Sequence, residues 1–291
     1  MGAADSTAIC NLALRKIGDK KISSITDADD SLAIKCNDVY SSVLKDTLIQ
    51  AKPRFAVKSA VLGHVTDSTT NITAISVDAN GLITVTAASH GLATDDVVSI
   101  INVGGMTKLN GRKFTVTKVD DNDVTLQGVD GSDYDDYTSG GTIGEVSDVP
   151  SEVDFDNRYN LPSDFEVLWK INGEEANFYR PISSSDRSPL RDKKYSIEWV
   201  DSLELLTDDV TASIKYIFNV TDTTKFDDLF VQMLAWQLAA ELAFTVSQST
   251  SFADGVEAKA GRRMAMYKSI MSQSSGTPRQ ARQDDIVAAR E

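Results

Sequence analysis

The chain has 291 residues, 41% hydrophobic and 25% charged, enough apolar material for one large domain or two ordinary ones. Its 43 acids against 29 bases give a formal net charge of -14, which argues against general nucleic-acid binding and against attraction to anionic membranes. The start, MGAADSTAIC, has neither a basic region nor an apolar run, so no signal peptide is expected.

In chain order, the first predicted element is a helix over residues 5–18. Asp5 or Ser6 caps it, Ile9, Leu12, Ala13 and Ile17 form its apolar stripe, and Gly18 stands where a left-handed cap belongs. The loop KKISSITDADDS follows. Asp27, Asp29 and Asp30 hint at a calcium loop, but the glycine and closing glutamate of an EF-hand are missing, so helix capping is the reading. A second helix is predicted from about Leu32 to Ala51, ended by Pro53, and a short third one over Phe55 to Leu62. Cys10 and Cys36 both fall in helical patterns, as reduced core residues of a protein folded in a cytosol would.

At Val65 the texture changes. ITAISV, LITVT, VVSIINV, KFTVTKV, DVTLQGV and GTIGEV are short β-rich runs, separated by turns such as Asn80-Gly81 and Asn110-Gly111. They predict a small antiparallel barrel or sandwich over residues 66–148, inserted into a helical host. This stretch holds 13 acids and 4 bases, a balance of -9, whereas residues 258–282 hold six bases and no acid.

After Pro150 the host resumes. FEVLWKINGEEANFYR reads as a hairpin turning at Asn172-Gly173, with further strands at YSIEWV and ASIKYIFNV. Next comes KFDDLFVQMLAWQLAAELAFTV. Between Leu229 and Phe244 only Gln232, Gln237 and Glu241 are polar, so the helix is apolar nearly all round and is expected to be buried. Thr224 with Asp227 reads as its capping box. The interior polar groups argue against a membrane span. A last helix, capped by Asp254, carries Val256, Ala260, Met264, Tyr267 and Met271 on one face. Residues 275–291 have too little apolar content to fold alone and predict an extended tail that orders on a partner.

No catalytic constellation is visible. His64 and His90 lack any metal-ligand spacing, no nucleophile elbow surrounds a serine, and Asp133, Asp135 and Asp136 with Tyr134 and Tyr137 are too ordinary to claim glycan or cation chemistry. No enzyme, cofactor or metal is expected.

STAICNLALRKIGDKKISSITDADDSLAIKCNDVYSSVLKDTLIQAKPRFAV, YNLPSDF and LLTDDVTASIKYIFNVTDTTKFDDLFVQMLAWQLAAELAFTVSQS resemble the tail tubular protein A family, head-to-tail adaptors (connectors) of short-tailed bacteriophages. The likeness covers about residues 5–62 and 155–282. The β module resembles barrels inserted in phage structural proteins and, loosely, the barrel half-domain of ubiquitin-activating enzymes. The latter likeness implies no ubiquitin chemistry, because no cysteine lies beyond Cys36.

The resemblance implies an α+β fold: a mainly α-helical adaptor core over 1–65 and 149–274 with an antiparallel sheet, the inserted β barrel or sandwich, and the tail. It implies a structural virion protein at the head-tail interface. Such a protein would form a ring, a dodecamer in the family, that joins a portal ring to a tail nozzle and lets packaged DNA pass during ejection without specific binding. A portal-binding role falls on Arg279, Arg282, Ile286, Val287 and Arg290. The alternative is a tail decoration or host-surface-binding protein using the β module. No membrane partner is expected.

Overall fold

The structure, a computed structural model, describes residues 5–150, 153, 155–176 and 195–274. The chain divides into two compact units, Met1–Val57 with Ile217–Glu291, and Lys58–Tyr216.

The first unit is helical. Helices α1 (Ser6–Ile17), α2 (Ser31–Ala51), α3 (Asp228–Ser247) and α4 (Thr250–Ser274) pack with α3 at the centre, against the other three. Asp5 caps α1 by accepting the Ala8 N–H at 2.7 Å, and Gly18 closes it at φ +81°, where a side chain would be strained. Asp30 caps α2 through the Leu32 N–H at 2.8 Å.

On α3, Phe230, Leu234, Leu238 and Leu242 are fully or almost fully buried. The helix is long and apolar enough to cross a membrane, yet half of it is buried by its neighbours, as in the core helix of a globular unit. The capping box at Thr224 is corrected. Asp222 takes the Thr224 N–H in a short 3-10 turn, and Asp227 is the N-cap of α3, accepting the Phe230 N–H at 2.7 Å. The other Asp227 oxygen accepts from the Tyr267 hydroxyl of α4, so the cap also ties two helices together. Phe55, Phe226, Phe230 and Tyr267 stack around that point, with centroids 4.9–6.0 Å apart. The last helix starts at Thr250, so Asp254 lies inside it and is not its cap.

Among the described residues, the second unit is built of strands and loops with one 3-10 turn, Thr107–Leu109. The predicted third helix is instead a 3-10 turn, Arg54–Ala56, followed by strand β1 (Val57–Val61). A short apolar run fits either period, and here sheet pairing decided. β1 edges a four-stranded sheet with β14 (Ser213–Phe218), β10 (Phe165–Ile171) and β11 (Glu174–Glu175). β10 and β11 turn at Asn172 and Gly173, both at positive φ. A three-stranded sheet is ordered β12 (Ser196–Trp199), β13 (Leu203–Thr207), β9 (Asn157–Asn160).

The inserted runs form one seven-stranded antiparallel sheet. Its strands are β2 (Thr70–Asn71), β3 (Ala74–Val77), β4 (Leu82–Thr86), β5 (Val97–Ile101), β6 (Arg112–Lys118), β7 (Asp123–Asp130) and β8 (Thr142–Glu145), in the order β2-β8-β5-β6-β7-β4-β3. Inward positions alternate along it, as in Ile83 and Val85, Phe114 and Val116, Val124 and Leu126, and they make an apolar core. The ends of this module lie side by side. The Ser147 N–H reaches the Val65 carbonyl at 3.0 Å and the Asp67 N–H reaches the Glu145 carbonyl at 3.1 Å.

Two expectations are therefore corrected. The fold is β-rich and not a mainly α-helical core, because the segments flanking the module build two more sheets. The module is a single curled half-barrel sheet, neither a closed barrel nor a sandwich.

Candidate functional site

The residues expected to bind a portal, Arg279, Arg282, Ile286, Val287 and Arg290, lie outside the described residues. Cys10 and Cys36 are buried in the helical unit. A hydrogen bond between them, together with burial, holds the Cys10 thiol far above its usual range, so it stays protonated and is a poor nucleophile.

His90 is structural. Its Nδ1 accepts the Leu92 N–H at 2.9 Å and its Nε2 lies 3.1 Å from the Asp120 carbonyl, which makes Nε2 the protonated nitrogen. In the 133–137 stretch, the Tyr137 hydroxyl reaches the carbonyls of Ile72 and Gly140, and Lys108 and Arg112 hold Tyr134. Among the described residues no group of three His, Cys, Asp or Glu side chains could hold a metal.

Two polar centres sit inside the second unit. The first is Arg158 on β9, only 4% exposed. Its guanidinium donates to both carboxylate oxygens of Glu204 on β13, at 2.8 and 3.0 Å, to Asp201, and to the Asp148 carbonyl at 2.9 Å. Glu204 is wholly buried, so this fork is the pair's main solvation. Its donors and acceptors are satisfied by structure.

The second centre is not satisfied. His64 follows β1 and is 2% exposed. Its backbone is fixed by β9: a bridge pairs His64 with Tyr159, the Asn160 N–H reaches the Gly63 carbonyl at 3.0 Å, and the Val65 N–H reaches the Arg158 carbonyl at 3.0 Å. The imidazole stacks on the Tyr159 ring, with centroids 4.3 Å apart. Neither ring nitrogen has a hydrogen-bond partner. Burial, with the Lys113 charge nearby, pushes the ring pKa down to about 4, so it is neutral at pH 7. Ser99, 3% exposed in the middle of β5, also has a hydroxyl without a partner.

His64 and Ser99 line one cavity of about 330 Å³. Its wall comes from the end of β1 and the chain after it, from β5 and β8 of the module, and from the end of β9 and the turn after it. Two close backbone approaches lie beside residues of its lining. A Cβ on Gly144, beside Ser99 in the sheet, would lie 1.9 Å from the Ser68 carbonyl, and one on Gly111 would lie 2.8 Å from the Leu62 carbonyl. From sequence, His64 stood out only as a histidine with no metal spacing. Ser99 carried one faint signal, a hydroxyl interrupting the apolar run VVSII.

Compared with known families, residues 78–147 match the ubiquitin-activating enzyme E1 FCCH domain. No curated protein matches the chain. The matched residues cover most of the seven-stranded sheet. This corrects the expectations of a head-to-tail adaptor family, of a phage connector or host-binding function, and of a place in a virion tail, since the family similarity found is to the E1 FCCH domain and not to a tail protein.

Proposed function

We propose that the chain is a non-catalytic protein-binding protein in which the curled sheet serves as a docking half-domain. One observation carries this reading: the residues similar to the FCCH domain fall within a single sheet that has its own apolar core and contains no cysteine. A thioester step needs an accessible thiolate, and the chain's two thiols are buried in the other unit. The sheet's surface is acidic, and α4 exposes Lys259, Arg262, Arg263 and Lys268. The partner is therefore a basic protein surface, with α4 of a second copy as the nearest source, which gives a homo-oligomer held in part by charge.

Sedimentation velocity against ionic strength tests the association. Complexes that dissociate as salt rises, and that weaken when Asp133, Asp135 and Asp136 are changed to Asn, are expected. A monomer at every salt concentration excludes self-association. A thiol-labile adduct formed with ubiquitin, ATP and magnesium excludes the non-catalytic reading.

A further inference from the structure

The cavity beside His64 is built from uncharged residues in a chain that is one quarter charged. Fourteen residues line it, and none is Asp, Glu, Lys or Arg. His64, Thr66, Thr69, Ser99, Thr142 and Asn160 bring imidazole, hydroxyl and amide groups, while Val61, Leu62, Ile101, Leu161 and Pro162 bring aliphatic surface. Its volume of about 330 Å³ sits at the lower end of ordinary ligand sites, roughly 300–1,000 Å³.

The two unsatisfied groups make this more than a surface dent. A buried polar atom without a partner is unfavourable, and native structures hold few of them. Here three such atoms, both His64 ring nitrogens and Ser99 Oγ, belong to residues on one cavity wall. A neutral imidazole offers one donor and one acceptor, and a serine hydroxyl offers both. An anion would enter without a lining cation to receive it, and a cation would be desolvated without a lining carboxylate. A purely apolar guest would leave the three atoms as they are. What fits is a neutral molecule with both donors and acceptors on its edge and apolar faces, and a sugar ring, with hydroxyls on its edge and C–H groups on its faces, has that form.

We propose that this cavity binds an uncharged sugar ring, with His64 and Ser99 hydrogen-bonding its hydroxyls and Ile101, Leu161 and Pro162 packing on its C–H face. The three polar atoms are covered by the surrounding protein. Entry therefore requires the wall to turn aside. Val61, 48% exposed, and the half-buried Ile101 are the wall side chains that would have to move.

The chain's two histidines supply the probe and its control. The intact protein is labelled with ¹⁵N at histidine and titrated to the solubility limit with the methyl glycosides of glucose, galactose and mannose and with N-acetylglucosamine. Glucuronate and glucosamine serve as charged counterparts. The expected result is a saturable shift of the His64 ring nitrogens with at least one neutral sugar, while His90, whose nitrogens are already bonded, does not move. The charged counterparts should bind at least tenfold more weakly.

Ser99→Ala and His64→Phe should keep or raise Tm, because each removes an orphaned polar group from a buried site. Yet Ser99→Ala should weaken binding by about fivefold, the value of one neutral hydrogen bond, and His64→Phe should weaken it further, read by calorimetry. No saturable shift with any neutral sugar overturns the proposal. So does equal binding of a charged counterpart, an equal shift at His90, or unchanged affinity in both variants.

Discussion

Two sheets of the second unit solve the same problem in opposite ways. The seven-stranded sheet buries alternating aliphatic and aromatic side chains and puts its charges outside. The sheet β12-β13-β9 buries Arg158, Glu204, Asn157 and Thr207 along with Tyr159, Leu205 and Leu206. Apolar burial is non-directional and tolerates moderate change, whereas a buried ion pair holds only while both partners are present. The first sheet should therefore lose stability in proportion to the volume removed. The second should fail abruptly when one charge goes.

The largest expected effect comes from breaking the pair. Glu204→Leu leaves the Arg158 guanidinium buried with only Asp201 and the Asp148 carbonyl, and should destabilise the protein by about 4 kcal/mol in urea unfolding. Replacing both partners, Arg158→Met with Glu204→Leu, should recover most of that loss. A single variant as stable as the parent means Glu204 is not the counter-ion, and the contrast between the sheets disappears. On the other side, Leu126→Ala in the module core should cost about 3 kcal/mol, from lost transfer energy and a residual cavity. A second core truncation three strands away in the sheet, Ile143→Ala on β8, would test the proportionality. Near-additive losses are expected.

The same contrast explains what was legible from sequence. Six of the module's seven strands follow from period-two alternation and from Asn-Gly turns, because apolar burial writes itself into the pattern. β9 and β13 were not read as strands. NRYN and LELLT are covered on both faces, with Asn157, Arg158 and Glu204 among the buried residues, so no apolar-polar alternation marks them. Their partners lie 46 residues apart in the chain, so the compensating charge is invisible locally. The helical unit shows the same limit in milder form. The apolar character of α3 was plain, yet its first residue depended on which of Asp222, Thr224 and Asp227 turned toward a free N–H. The His64 cavity was least legible of all, since it is assembled from four separated stretches and defined by hydrogen bonds that are not made.

Acid should expose the difference between a satisfied and an unsatisfied buried group. His64 has its pKa lowered from 6.5 to about 4 by burial. The unfolded chain therefore binds a proton that the folded chain refuses between those values, and folding stability falls as pH drops through that window. The loss should be about 3 kcal/mol, most of it present by pH 4 and the rest just below. His64→Phe should remove that component, so the gap between the two stability curves should widen in the variant's favour as pH falls from 6.5 to 4. Parallel curves across that range would mean the imidazole reaches solvent.

The smallest expected effect concerns the outside of the module. Glu145, at the end of β8, has Asp96, Asp67 and Asp148 around it, and chiefly the Asp96 charge pushes its carboxyl above the usual value. A carboxyl whose pKa is raised by folding is repelled in its ionised form. Stability is then lost as pH rises through the window above the ordinary 4.5 and stays lower at neutral pH. The group is exposed, so salt should screen the repulsion almost completely. At pH 7, Glu145→Gln should raise Tm slightly at low ionic strength and not at all in high salt. Such a cluster persists on a folded surface more easily if something basic covers it, which ties the measurement to the proposed docking role. An equal gain at low and high salt would place the benefit in packing and not in charge, and would remove this patch from the docking face.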